Sequence, residues 1–220
     1  MVEQSGTALL LEQICNHHED NIMPLGAFKA ALMGTAGVSA GADVVLLDTQ
    51  TASDSASLDF TSGIDSTYGE YIFRFYNINP ATDTTHFSFQ CNATDSASYD
   101  ETITSASFMA YHLEDDSATA LTYASGGSLS QETDAQVIGE GVGNAADETC
   151  AGELHLFNPS STTYVKQFYL VSQWYHASGD GFTANGFRGG YINTTTAIDD
   201  IKFYMNSGNF DGTIKMWGVK

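Results

Sequence analysis

The stretch that most constrains the fold is the last one, Ile198 to Val219, where two alternating segments flank a turn-rich linker. In the first, Ile201, Phe203 and Met205 point one way while Lys202 and Tyr204 point the other. In the second, Ile214 and Met216 oppose Lys215 and Trp217. A period of two puts successive side chains on opposite faces, so each segment reads as a half-buried strand. The linker carries Ser207, Gly208, Asn209, Asp211 and Gly212, residues that tolerate left-handed backbone or bond their own turn. The pattern predicts a terminal hairpin with Ile214 and Met216 toward the core, and it ties the C-terminus into a sheet.

The same period runs back to Val44. Val44–Thr49 and Ala56–Phe60 read as a first pair of strands. Tyr71, Phe73 and Phe75 alternate with Ile72, Arg74 and Tyr76, apolar on nearly both faces, which predicts a central strand. Further strands are expected around Phe87–Cys91, over Ile103–Leu113, at Leu154 and Leu156, over Tyr164–His176 and over Phe187–Asn193. Residues 114–150, acidic and rich in Gly and Ser, read as long loops with one or two short strands. Ten or eleven strands at short spacing predict an all-β, jelly-roll-like two-sheet β-sandwich over residues 44–220. Apolar residues make up 42% of the chain and charged ones only 15%, enough for a core and too few charges for a helical surface.

Residues 1–43 differ. Thr7 to Glu19 pairs Leu10 with Ile14 and Leu11 with Cys15 at i, i+4, which predicts a short helix. Pro24 to Ala42 is rich in Ala and Gly and lacks the large side chains needed for a core of its own. This N-terminal arm is expected to serve assembly or anchoring, packing against another subunit or another protein.

Seven basic residues face 27 acidic ones, a net charge of −20. Phosphate backbones are bound by Lys and Arg clusters, which the chain lacks, so no nucleic acid is expected as a partner. No apolar run approaches about 18 residues, so no membrane span is expected. Three cysteines, far apart in sequence, make neither a disulfide framework nor a paired zinc motif, and fit assembly in a reducing cytoplasm. The start is acidic and reads as no signal peptide.

Little in the sequence carries chemistry. His17-His18-Glu19-Asp20 has metal-ligand composition, but neighbours on a helix point about 100° apart and cannot share one ion easily. The turn Ser207–Gly212 resembles half of a calcium loop, yet Gly218 stands where the closing bidentate Glu belongs. Asp115-Asp116 and Asp199-Asp200 alternate faces if they lie in strands, and so form no acid–base pair. No nucleophile elbow or phosphate loop occurs. Neither a catalytic residue, a metal nor a cofactor is expected. The most binding-like stretch is Trp174 to Phe182, a strand running into a Gly-rich loop. There Tyr175, His176, Asp180 and Phe182 supply aromatic faces and an acid, the groups that stack on sugar rings and bond hydroxyls. The competing reading places Trp174 in the core and Tyr175 at a subunit contact.

Three stretches carry a family resemblance. They are Ser62-Gly63-Ile64-Asp65-Ser66-Thr67-Tyr68 followed by Glu70-Tyr71-Ile72-Phe73; Leu154-His155-Leu156-Phe157-Asn158-Pro159-Ser160; and Ser207 through Gly218. Together they resemble virion proteins of marine tailed bacteriophages, over roughly residues 44–220. The resemblance implies a non-enzymatic structural protein of a phage virion, a tail or fibre component on the particle surface, assembled in the host cytoplasm. A capsid decoration or cement protein and a carbohydrate-binding module contacting a host surface glycan are the alternatives. Expected partners are other copies of the chain, as a trimer or higher ring, and other virion proteins through the arm. Deleting residues 1–43 should leave a domain that melts cooperatively, because the alternating strands begin at Val44; a broad, non-cooperative melt of the truncated chain contradicts this.

Overall fold

Strand follows strand because apolar residues recur at every second position and Gly, Ser, Asn and Asp interrupt the runs. The computed structural model describes residues 43–177 and 181–220. Its strands are β1 (Val44–Ser55), β2 (Ser57–Phe60), β3 (Glu70–Pro80), β4 (Thr85–Ala93), β5 (Ile103–Leu113), β6 (Thr119–Tyr123) and β7 (Ser130–Glu132). They continue with β8 (Gln136–Val142), β9 (Cys150–Phe157), β10 (Lys166–His176), β11 (Phe182–Ile192), β12 (Ile198–Met205) and β13 (Phe210–Val219). A single 3-10 turn, Ser125–Gly127, is the one helical element among the described residues.

All pairings are antiparallel. One path runs β1-β13-β3-β9-β10-β8-β4-β12-β2, with β11 and β5 continuing outward from β10 and with β6 and β7 on β5. The step from β10 to β8 rests on one residue pair, His176 opposite Val142. On one side of that step lies the broad run from β1 to β5; on the other lies the four-stranded run β8-β4-β12-β2. The sheet is thus a large, nearly barrel-shaped antiparallel structure folded over one core.

Aromatic rings clamp the two runs. Phe203 on β12 meets Phe73 and Phe75 of β3 at centroid distances of 5.4 and 5.5 Å. It also meets Phe60 of β2 at 6.0 Å and Phe87 of β4 at 6.2 Å. A second cross-contact joins Phe89 of β4 to Phe168 of β10 at 5.4 Å. All of these rings are buried. Such pairs add about 0.5–1.5 kcal/mol each beyond the burial of their area.

The core also holds two cations. Lys166 Nζ donates to the carbonyls of Tyr164 and Thr194. Arg188 Nη1 donates to the Ile138 carbonyl while its guanidinium lies 5.5 Å from the Trp174 ring. Cys91 and Cys150 are free and buried; burial, opposed by Arg188, pushes the Cys150 thiol up to about 12.

The terminal hairpin is not formed. β12 pairs with β4 and β2, whereas β13 pairs with β1 and β3, so the two segments sit in opposite runs. Alternation fixes that a segment is a half-buried strand and which face is inward; it does not fix the partner. The linker instead arches across the core. Asn206 Oδ1 accepts from Thr85 Oγ1 (2.5 Å) and the His86 amide (2.7 Å), and Asn209 Nδ2 donates to the Asp54 carbonyl (2.9 Å). The predicted inward faces are observed, with Ile201, Phe203, Ile214 and Met216 all buried.

Other boundaries move too. Residues 114–150, read as long loops with one or two short strands, hold three, β6, β7 and β8. The longest predicted strand begins at Lys166, leaving Tyr164 exposed, and β11 begins at Phe182. β5 spans Ile103–Leu113 as expected. The predicted helix over residues 7–19 and the arm through residue 42 lie outside the described residues. Phe203→Ala should cost about 3–5 kcal/mol and Ile214→Ala about 2–4 kcal/mol, read by urea denaturation. A loss under about 1 kcal/mol for Phe203→Ala would contradict the clamp.

Candidate functional site

β10 and β11 pair without interruption from Lys166–Ile192 to His176–Phe182. Their connection therefore leaves the sheet immediately after His176, which brings the flanking aromatics together. The His176 and Phe182 rings stack at 4.2 Å and 15°. Tyr111 of β5, the next strand, meets Phe182 at 5.4 Å. Tyr175, His176 and Phe182 are thus neighbours at one end of the sheet; Asp180 lies outside the described residues.

A cleft of about 520 Å³ opens beside them, lined in part by His112, Glu114, Asp116, Trp174, Tyr175 and Thr183. Its polar side is acidic. His112 Nε2 and Asp116 Oδ1 lie 2.9 Å apart at the surface. Burial pushes the Tyr175 phenol up, and Glu114, Glu148 and Asp147 push it further, so it stays a hydroxyl donor at neutral pH. Trp174 is buried and its Nε1 donates to the Glu140 carbonyl at 2.6 Å, which assigns that ring to the core.

His176 is held in place by backbone that only glycine fits. Gly141 has φ +63°, and a Cβ there would come within 2.5 Å of His176 Nε2. Its amide donates to His86 Nδ1 at 2.9 Å, which fixes the acceptor nitrogen of His86. Burial holds the His176 imidazole below its ordinary range; Glu140 opposes this and His86 reinforces it.

The other sequence candidates have structural duties. Asp211 Oδ1, in the calcium-like turn, accepts from the Asp54 amide at 2.7 Å. Asp115 Oδ1 accepts from the Ser117 amide at 2.9 Å. Among the described residues no group of three or more His, Cys, Asp or Glu side chains is placed to hold a metal, and no helix is long and apolar enough to cross a membrane. His17 and His18 lie outside the described residues.

The three stretches that carry the resemblance converge on one corner. Asp65 caps it, its amide donating to Tyr71 Oη at 2.8 Å while Tyr71 Oη donates to the Asp65 carbonyl at 3.0 Å. Gly69 donates to Val219 and accepts from the Asn158 amide (3.1 and 2.8 Å). The Tyr68 ring lies flush on Gly218, where an added Cβ would sit 2.6 Å from it. The Pro159 carbonyl accepts from the Ile198 amide at 2.9 Å. These residues hold a turn against two strands, and none is arranged as an acid, base or nucleophile.

Sequence reasoning missed an aromatic row on the outward face of the broad run. His155 stacks on Tyr169 at 4.4 Å, Tyr169 on Phe187 at 6.1 Å, and Phe187 on Phe108 at 5.2 Å. The signal was present in β5, where Ala106, Phe108 and Ala110 face outward while Ser105 and Ser107 face the other way. Ser107 is buried and donates to the Ala124 carbonyl at 2.6 Å.

No protein-family model, no curated protein and no solved structure matches the chain. His176→Phe should flatten part of the acid response. The folded His176 value lies below 6.5, so the unfolded chain takes up the proton first. Its contribution is complete above that value and declines as pH falls beneath it. Between about pH 7 and about pH 5 the wild type should lose more melting temperature than His176→Phe. Parallel melting curves would contradict the placement of His176.

Proposed function

We propose that the chain is a non-enzymatic structural protein of a tailed-phage virion, a tail or fibre component exposed on the particle surface. In this reading the sheet is a jelly-roll-like two-sheet sandwich, and residues 1–43 anchor it to other virion proteins. The observation that carries the reading is the corner where the three resembling stretches meet. Their residues serve packing and turn geometry: Tyr71 Oη donates to the Asp65 carbonyl, Tyr68 packs on Gly218 and the Asn158 amide donates to the Gly69 carbonyl. A family defined by such a corner is defined by its scaffold. The strong acidity suits a self-repelling, soluble particle surface.

Host contact falls to the loop end of β10 and β11. Loops on rigid scaffolds concentrate binding residues, and here Tyr175 lines an open acidic cleft while the neighbouring His176 and Phe182 stack on each other. A host surface glycan fits this composition, with Asp180 as a further candidate. The test is mass spectrometry of gradient-purified particles together with antibody labelling of intact ones. The protein should co-purify with particles and be reached by antibody at the tail or fibre; labelling on the capsid shell would favour a decoration protein, and absence from particles would overturn the reading. Replacing Tyr175 and Phe182 by Ala should reduce adsorption to the host at least ten-fold while particles still assemble. Unchanged adsorption by normal particles would remove the receptor role.

A further inference from the structure

Among the described residues the outward row ends in exposed apolar side chains. Tyr123 pairs across from Phe108 between β5 and β6, with Leu121 two residues away. Phe108 is 49% exposed, Tyr123 65% and Leu121 72%. Between them and Phe187 lies an apolar groove of about 490 Å³. Single exposed apolar residues are ordinary on a soluble protein, but a contiguous patch marks an interaction surface.

Charge identifies the occupant. The chain carries −20 overall, so most of its surface repels a second copy. The outward face of the broad run is the exception. Along β13 from Thr213 to Val219, and along β3, β9, β10, β11 and β5, outward positions hold two carboxylates, Glu70 and Glu153, and two bases, Arg74 and Lys215. Arg74 Nε already bonds Glu153 Oε2 at 3.1 Å, and Lys215 lies 5.6 Å from the Tyr76 ring. A basic partner would go to the acidic strand ends, where Glu114, Asp115 and Asp116 cluster. A sugar needs the free face of a ring, whereas His155, Tyr169, Phe187 and Phe108 stack on one another at interplanar angles of 11–21°.

The row crosses five strands, from β9 to β6, which at about 4.8 Å spacing span roughly 19 Å, and six residues of strand add about 20 Å. That is roughly 400 Å², half of the about 800 Å² per partner of a standard interface. We propose that the outward aromatic row ending in Phe108, Leu121 and Tyr123 is where a second copy of this chain docks. The proposal rests on the self-assembling part of the reading above and names the surface responsible.

The test is light scattering after size exclusion on the full chain, wild type against Leu121→Asp/Tyr123→Asp. Both residues stand on the exposed edge strand β6, so circular dichroism and melting should be preserved. Leu121→Ser/Tyr123→Ser, without added charge, guards against an effect of charge alone. Tyr164→Asp, a highly exposed tyrosine in the β9–β10 connection, is the control. The wild type and the control should elute as the same oligomer, and both double variants should dissociate at least ten-fold more readily. An unchanged oligomer in both double variants overturns this surface while leaving self-assembly intact. A wild type that stays monomeric at high concentration overturns both. Glycan binding that the double variants lose, with oligomer mass unchanged, assigns the face to a sugar and overturns the proposal.

Discussion

Phe203 is the contact on which the fold depends. It projects from β12 into a cage of rings contributed by β2, β3 and β4, and so ties the four-stranded run to the broad one. Between the runs, strand pairing offers one residue pair, His176–Val142 at the β10–β8 step, and the Ile198 amide adds a bond to the Pro159 carbonyl. Hydrogen bonds make each run; ring packing, with the bonds of Ser172, Trp174 and Arg188 to carbonyls of β8, makes the two runs one molecule. Because such a core is close-packed, the loss of one central ring is felt by every strand that touches it.

From that constraint follow the positions of the two surfaces proposed to meet partners. With the core filled from both sides, the outward face of the broad run and the loop end at β10–β11 are among the surfaces left open. The two carry different chemistry. The loop end is acidic, with Tyr175 beside Glu114 and His176 stacked on Phe182. The outward face is balanced in charge and lined with stacked rings.

Much of this architecture is written locally in the sequence, and what is not has physical reasons. β5 is legible to the residue because alternation begins at Ile103 and stops at Leu113. The inward faces of β12 and β13 are equally legible, while their partners are not, since the arch is held by Asn206 and Asn209 bonding residues of β4 and β1 that lie far away in sequence. β8 was hidden because Gly139 and Gly141 interrupt its apolar pattern. Gly139 fits closely there: a Cβ would lie 3.0 Å from Val142 and 3.1 Å from the Cys150 sulfur. At the candidate site, composition drew attention to Tyr175, His176 and Phe182, and pairing of β10 with β11 brings them together. The outward row needed the fold, because its members come from β9, β10, β11, β5 and β6 and share no sequence window.

The central claim is a division of labour among aromatic residues, with the inner rings closing the fold and the outer row joining copies. An electron-microscopy map of the assembled protein, resolved well enough to separate strands, tests it most directly. The account predicts that Phe108, Tyr123 and Phe187 lie against a neighbouring copy while Phe203 sits inside the cage of its own chain. A map in which that outer row faces open solvent, with copies joined through the acidic loop ends, would contradict it.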